Sequence, residues 1–233
     1  PLLQTRPLIF RIHPLDGTAP MYSIASIKPI ILAAGDSTRM GYPKALLPLG
    51  RDRFITRILA ILRNLGMPDP VIILGRAAPS IQPFCLDWPA NIHVNPDPDR
   101  GQLSSIQLGL MQIGDEFDAV MIWPVDQPAV SEDLVRRLVQ LFAASRSLIA
   151  CPRCQERRGH PAIFHRSLFQ EFMDAPLQEG PKKILQRHQE ETAILPTEER
   201  GTIEDIDTPE DYQSLTGENL ASALARADAL KNA

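Results

Sequence analysis

Apolar residues along the chain fall into short buried runs that alternate with segments of helical period. Pro29-Ile30-Ile31-Leu32-Ala33-Ala34 is an unbroken apolar run closed by Gly35, the pattern of a strand covered on both faces. Val71-Ile72-Ile73-Leu74-Gly75 repeats it, Ile92-His93-Val94 is a shorter instance, and Ala119-Val120-Met121-Ile122-Trp123 is a fourth that ends at Pro124. Residues 147–151 form a fifth. Between these runs, Phe54, Ile55, Ile58, Leu59, Ile61, Leu62 and Leu65 recur at helical spacing and Gly66 closes the helix. Residues 102–113 predict another helix, stopped by Gly114. Ser131 is a predicted N-cap, with Glu132 and Asp133 in the first turn facing the positive end of the helix dipole. Thr208, Pro209 and Asp211 predict a further helix start: an N-cap, a proline at the first helical position and a capping-box acid. Residues 217–231 predict a C-terminal amphipathic helix that docks on the domain or on a partner. Strand and helix alternate throughout, so the expected class is α/β with a mostly parallel central sheet.

Residues 1–27 break this pattern. Pro1, Pro7, Pro14 and Pro20 punctuate them and no period persists. They read as a poorly structured N-terminal extension, with Met21 a candidate start. Residues 28–215 read as one domain and 216–233 as a helical tail, an organisation that suits 233 residues. Composition is that of an ordinary globular protein, 44% hydrophobic and 22% charged. A net charge of −4 leaves no positive excess to neutralise a phosphate backbone, so nucleic acid is not an expected partner. No apolar run reaches the roughly 20 residues needed to cross a bilayer, and the N-terminus lacks a secretory pattern; the expectation is a cytoplasmic protein without a membrane partner.

Three cysteines argue against a disulfide framework. Cys151 and Cys154 form a CxxC followed by His160 and His165, but zinc wants four ligands and no second CxxC exists. The simpler reading puts Cys151 at the end of a buried strand and Cys154 in the loop after it.

The segment from Leu32 to Lys44 carries the most chemistry. A buried strand runs into a loop of small residues with two glycines, followed by Arg39 and Lys44. Small residues let backbone N–H groups approach an anion, Arg39 offers a planar donor fork and Lys44 a point charge. In open α/β sheets ligands bind outside the carboxyl ends of the strands, where this loop lies. It is neither GxGxxG nor a P-loop, and an ordinary turn bearing two surface cations remains an alternative on physical grounds.

The pattern LAAG-x-S-x-RMG-x-PK-x-LLP resembles the nucleotide-binding signature of the MobA-like NTP transferases, and within them the molybdenum cofactor cytidylyltransferases. Further elements match in order over roughly residues 28–215. The resemblance implies a Rossmann-like sandwich of the nucleotide-diphospho-sugar-transferase type, with helices on both faces of the sheet. It implies nucleotide contacts from Leu32, Ala33, Ala34, Gly35, Ser37, Arg39 and Lys44. Trp123-Pro124-Val125-Asp126-Gln127-Pro128 matches the element whose aspartate holds the catalytic metal, so Asp126 is implied as a Mg²⁺ ligand, with hard oxygen chemistry suited to that ion. Ile206-Asp207-Thr208-Pro209-Glu210-Asp211 resembles the family's C-terminal element and makes Asp207 the second metal carboxylate, with Asp205 a competitor and plain capping an alternative. Asn95, followed by Gly101-Gln102-Leu103-Ser104-Ser105, resembles an element in which Asn95, Ser104 and Ser105 reach base, ribose or phosphate; N-capping is the competing explanation for the serines. Arg158-Gly159-His160-Pro161-Ala162-Ile163-Phe164 resembles the GHP-x-x-F element on the acceptor side. Arg158, His160 and Lys182, with Arg157 and Lys183, are candidates for holding an anionic acceptor.

The resemblance thus implies a Mg²⁺-dependent nucleotidyltransferase with Arg39, Lys44 and Asp126 as catalytic residues, CTP as nucleotide and a molybdopterin-type phosphate as acceptor. A molybdoenzyme or its chaperone is the implied protein partner. Relatives that use GTP usually read LAGG, and the methyl of Ala34 narrows the base pocket toward a pyrimidine. Alternatives are a guanylyltransferase, a sugar- or isoprenoid-phosphate nucleotidyltransferase and, from other classes, a nucleotide-dependent oxidoreductase or a non-catalytic cofactor chaperone.

Overall fold

The computed structural model describes residues 22–231, so the proline-rich segment 1–21 lies outside the described residues. Ten strands and eight helices follow in chain order. β1 (Ile27–Ala33) leads through a small hairpin, β2 (Pro48–Leu49) and β3 (Asp52–Arg53), into α1 (Phe54–Asn64). Then come β4 (Val71–Leu74), α2 (Ala78–Ile81), β5 (Asn91–Val94), α3 (Gln102–Leu110), β6 (Ala119–Pro124) and α4 (Glu132–Ala144). The second half holds β7 (Ile149–Cys154), β8 (Arg157–Arg158), β9 (Ala162–His165), α5 (Phe169–Asp174), α6 (Pro181–Arg187), β10 (Thr192–Pro196), α7 (Pro209–Thr216) and α8 (Leu220–Lys231).

The main sheet has the order β10-β7-β9-β6-β1-β4-β5, with β8 paired to the end of β7. β1 runs parallel to both β4 and β6, β4 to β5 and β7 to β10. β9 is antiparallel to its two neighbours, β6 and β7. The alternation of strand side chains builds two cores. Ile27, Ile31 and Ala33 of β1 face α1, α4, α7 and α8, whereas Ile30 and Leu32 face α3, α5 and α6. The sheet is therefore covered on both faces, as continuous apolar runs require. From β1 the chain steps outward to β4 and β5 and then returns to β6 on the other side of β1. That reversal opens a crevice outside the carboxyl ends of β1 and β6, where α/β folds bind ligands.

Several boundaries differ from the sequence reading. The described chain packs before Lys28: Ile24 and Ile27 are buried, because the strand begins as soon as β6 is there to pair with it. α3 stops at Leu110, and Gly217 in the left-handed region closes α7, so the last helix starts only at Leu220. Cys154 lies in β7 and is buried, not in a loop; pairing with β8 and β10 extends the strand past Cys151. Among the described residues no helix is long and apolar enough to cross a membrane.

Two features of this packing carry predictions. A side-chain cluster joins α5, α6 and the turn before β10: His188 sits between Glu171 (Nε2···Oε2 2.6 Å) and Glu191 (Nδ1···Oε2 2.6 Å), and Arg187 pairs with Glu171 and Glu179. The hydrogen bond to Glu191, followed by that to Glu171, raises the His188 pKa above its ordinary value. A folded-state pKa above the unfolded one gives stability that is present below the ordinary histidine pKa and is lost as pH rises through the raised value. His188→Gln should therefore lower the melting temperature more at pH 6 than at pH 9; an equal loss at both would show that the charge contributes nothing. At the other end of the sheet, a Cβ on Gly75 would stand 2.1 Å from the carbonyl oxygen of Ala34. Since that neighbour is backbone and cannot swing aside, Gly75→Ala should destabilise the fold by about 1–3 kcal/mol in a denaturant titration.

Candidate functional site

The loop after β1 is shaped by its own hydrogen bonds. Val125 N donates to Leu32 O (2.9 Å), which fixes where β1 ends beside β6. Ser37 then adopts a positive φ of 54°, a conformation rare outside glycine and frequent at functional turns. Its carbonyl accepts from Met40 N and Gly41 N, and its hydroxyl accepts from Lys44 N (3.1 Å). This knot turns Arg39 outward, 68% exposed, and Lys44 inward, 14% exposed. Buried Ala45 and Leu46 anchor the turn that carries Lys44.

Two carboxylates meet that lysine. Lys44 Nζ donates to Asp126 Oδ2 (3.0 Å) and to Asp207 Oδ1, and Arg39 Nη2 donates to Asp207 Oδ2 (2.8 Å). Asp126 stands just past the carboxyl end of β6. Asp207 precedes α7, whose start is a complete capping box: Thr208 Oγ1 accepts from Asp211 N, and Asp211 Oδ2 accepts from the N–H groups of Thr208 (2.8 Å) and Asp207 (3.1 Å). The helix itself is held by Tyr212, whose buried hydroxyl donates to Pro48 O (2.8 Å). Ile206 N donates to Asp126 O (2.9 Å), so the backbone staples the two acidic segments side by side. Burial alone would lower the Lys44 pKa, but the attraction of Asp126 and Asp207 outweighs it and the pKa is raised, so the ammonium stays charged. For Asp207, burial is likewise outweighed, and Lys44 and Arg39 hold its carboxyl below the usual range.

A cavity of about 310 Å³ opens from this cluster. Leu32, Ala33, Ala34, Gly35, Ser37, Arg39, Lys44, Ser105, Asp126 and Asp207 all line it, so ten positions singled out in the sequence converge there. Asn95 and Ser104 are set back from it. Asn95 is buried; its amide donates to Ser104 Oγ (2.9 Å) and Ser105 Oγ (3.0 Å) while its Oδ1 accepts from Asp97 N (3.0 Å), and Ser104 Oγ donates to Gly101 O. These side chains brace the wall formed by residues 98–105. Asp205, the competitor of Asp207, turns away from Lys44 and accepts from Gln127 Nε2 (2.7 Å).

A second cavity of about 270 Å³ shares Gln102, Pro124 and Asp126 with the first. Arg158 and His160 line it, together with Arg157, Gln127 and Asp205. Lys182 and Lys183 do not: both are exposed on α6, outside the lining of either cavity, because the helix turns this face to solvent. Sequence reasoning also missed several contributors. Ala77, Ile81 and Pro98 supply the apolar wall opposite the cations. Arg76 clasps Asp36 of the loop to Asp99 of the facing wall (2.5 Å from Nη2 to Asp99 Oδ2). The glycine that ends the Val71–Leu74 run was the available signal for that wall.

Among the described residues no three His, Cys, Asp or Glu side chains converge as a metal cluster. The pair formed by Asp126 and Asp207 nevertheless fits a hard divalent cation. Both present oxygen to one point, already held by the cationic Lys44 Nζ, and Mg²⁺ is commonly bound by one or two carboxylates plus substrate phosphates.

Comparison with known proteins places the chain among nucleotidyltransferases. The chain is 28% identical over 198 residues to the purine catabolism protein PucB of Bacillus subtilis (strain 168), covering 78% of this chain and 92% of that protein. The crystal structure of Rv0371c from Mycobacterium tuberculosis H37Rv superposes with a TM-score of 0.74 at 28% identity, covering 84% of this chain and 100% of that one. The structure of Rv0371c in complex with manganese matches with a TM-score of 0.70 at 25% identity, covering 83% and 99%. The family profile of the MobA-like NTP transferase domain matches residues 29–192, and the chain belongs to that family.

Proposed function

We propose that this nucleotidyltransferase moves CMP from CTP to the terminal phosphate of a molybdopterin-type acceptor, with release of pyrophosphate and with Mg²⁺ held by Asp126 and Asp207. The observation that carries the reading is the meeting of Lys44, Arg39, Asp126 and Asp207 at one end of a cavity whose other end is apolar. A triphosphate fits the charged end and a base the walls of Ala77, Ile81 and Pro98. The buried Ala34, whose backbone packs closely against Gly75 and which lines the cavity, supports the smaller pyrimidine. The complex of Rv0371c with manganese supports a divalent ion as part of this reading.

The chemistry is an in-line displacement. A terminal phosphate oxygen of the acceptor forms a bond to the α-phosphorus, the bond to the bridging oxygen breaks, and pyrophosphate departs with the electron pair. The bound cation would neutralise phosphate oxygens. Lys44 is placed to follow the α-phosphoryl oxygens as charge shifts, and Arg39 to hold the β- and γ-phosphates. A phosphate monoester is already ionised near neutral pH, so no side chain has to remove a proton. Positioning and charge stabilisation carry the acceleration.

Two measurements test this reading. CTP with Mg²⁺ should raise the melting temperature more than GTP does, since a ligand of the native state stabilises it by mass action. Ala34→Gly should narrow that difference; a larger shift with GTP in the unmodified protein would end the pyrimidine assignment. Steady-state kinetics separate the two cations. Lys44→Ala should reduce kcat more than it raises KM, whereas Arg39→Ala should mainly raise KM for the nucleotide. Charge-assisted contacts of about 1.5–3 kcal/mol imply roughly ten- to hundredfold effects on kcat/KM. Changes under about threefold in both variants, with folding intact by circular dichroism, would show that this loop does not hold the triphosphate.

A further inference from the structure

Three loops leave the carboxyl ends of β1, β4 and β5, and all three contribute to the first cavity. The loop after β1 supplies Gly35, Ser37 and Thr38, that after β4 supplies Ala77, and that after β5 supplies Pro98 and Gly101. In the sheet β4 lies between β1 and β5, so the outer two loops leave strands about 10 Å apart, two strand spacings. Arg76 bridges that gap. Its Nη1 donates to Asp36 Oδ2 and to Asp99 Oδ1 (3.0 Å), and its Nη2 donates to Asp99 Oδ2 (2.5 Å). The planar fork of an arginine can serve carboxylates on two sides at once, which the point charge of a lysine does poorly.

Each member of this triad adjoins a lining residue. Asp36 stands between Gly35 and Ser37, Arg76 precedes Ala77 and Asp99 follows Pro98, yet none of the three lines the cavity itself. Two acids against one base leave the triad net negative, which does not suit it to a phosphate. The arginine springs from a firm base, because a Cβ on Gly75 would stand 2.1 Å from Ala34 O and the exit of β4 is pressed against that of β1. The far wall is less constrained. Asp99 and Arg100 are exposed, and Gly101, with a φ of 87° and open space where a side chain would stand, ends that loop.

We propose that Arg76 is a positioning residue for the nucleotide: it clasps the wall after β5 to the loop after β1 and so slows the escape of a bound nucleoside triphosphate from between them. The inference rests on the reading of the first cavity as the nucleotide site. A clasp outside the lining does not touch the ligand, so it acts alike on ground and transition states and shows in retention rather than in the chemical step. Exposed ion pairs are individually weak and are screened by salt, so the effect is modest, roughly three- to fivefold. The two aspartates give the sign that decides. By long-range electrostatics alone, removing a negative charge beside a polyanion's site tightens binding, whereas removing one end of a clasp loosens it.

The test is stopped-flow release of fluorescent CTP and GTP analogues from the full chain in the presence of Mg²⁺. Arg76→Gln should accelerate release roughly three- to fivefold, with a smaller change in association. Asp36→Asn and Asp99→Asn should each accelerate it too. Arg76→Gln combined with Asp99→Asn should release no faster than Arg76→Gln alone, because both changes remove one device. Arg76→Lys, which keeps the charge without the two-sided fork, should fall between. Melting temperatures without nucleotide confirm that each variant is folded, as exposed substitutions allow. Slower or unchanged release in either aspartate variant overturns the inference, since a clasp needs both ends; combined with faster release in Arg76→Gln, it would put Arg76 on the phosphates directly. A change below about twofold in Arg76→Gln, within the range of inert surface pairs, also overturns it. If the unmodified protein binds neither analogue, the nucleotide-site reading falls and the clasp with it; if it binds one and the variants release it unchanged, the clasp alone falls.

Discussion

The ion-paired bridge at Lys44 is the constraint on which the functional end of the molecule depends. One ammonium, 14% exposed, contacts carboxylates that lie 82 and 163 residues further along the chain. Charges withdrawn from water have to be paired and hydrogen-bonded, and removing one partner leaves the others uncompensated. Every local device nearby serves this convergence. The positive φ at Ser37 turns the lysine inward, the bond from Ile206 N to Asp126 O sets the acidic segments side by side, and the capping box of α7 fixes where Asp207 emerges. The bridge also places a cation where two carboxylates meet, so the packing of the loop and the charged end of the cavity draw on the same four side chains.

Much of this was legible in the chain. Continuous apolar runs marked β1, β4 and β6 because strands buried on both faces have no polar side to show, and the caps at Ser131 and Thr208 announced α4 and α7 through side-chain chemistry that acts within one turn. The long motif from Leu32 to Lys44 led to the charged end of the cavity. What escaped was non-local. Residues 162–165 carry the short run Ala-Ile-Phe-His, too brief to distinguish a strand from a loop, and only pairing with β6 and β7 makes it one. β10, with a mostly half-buried edge, shows no strong pattern either. Nothing in the string Asp205-Ile206-Asp207 says which acid faces Lys44. Asp205 is engaged by Gln127, and Asp207 is left to meet Lys44. Lys182 is the converse case: charge in a suitable stretch of sequence says nothing of which way a short helix turns it, and here it stands outside the lining of both cavities.

The two cavities divide at Asp126, and their chemistry is complementary. On one side lie cations and backbone of a tight loop, suited to a polyphosphate. On the other lie Gln127, His160 and Asp205, with the exposed Arg157 and Arg158 in the same lining. In the proposed transfer between two phosphates, this division lets the negative charge of the nucleotide be neutralised where it reacts while remote parts of the second substrate bind beyond Asp126. Binding energy from such remote contacts can be used to orient the reacting groups.

The direction of β9 explains how the second half of the chain reaches the reacting end at all. In a wholly parallel sheet each strand delivers its carboxyl end, and the loop that follows it, to the ligand crevice. β9 instead runs antiparallel to β6, with Ala162 opposite Ile122 near the carboxyl end of that strand. Its start, and hence the segment just before it, therefore lies at the crevice. His160 and Gly159 occupy that segment. His160 N donates to Thr202 O at 2.8 Å, and a Cβ on Gly159 would stand 2.1 Å from the same carbonyl, so only glycine allows the two backbones to approach so closely. Thr202 in turn leads within a few residues to Asp205 and Asp207. One reversed strand thus brings the Gly-His-Pro turn against the acidic segment and places an imidazole beside Asp126. Had β9 joined the sheet in parallel, His160 would sit at the opposite edge, away from Asp126 and from the second cavity that it lines.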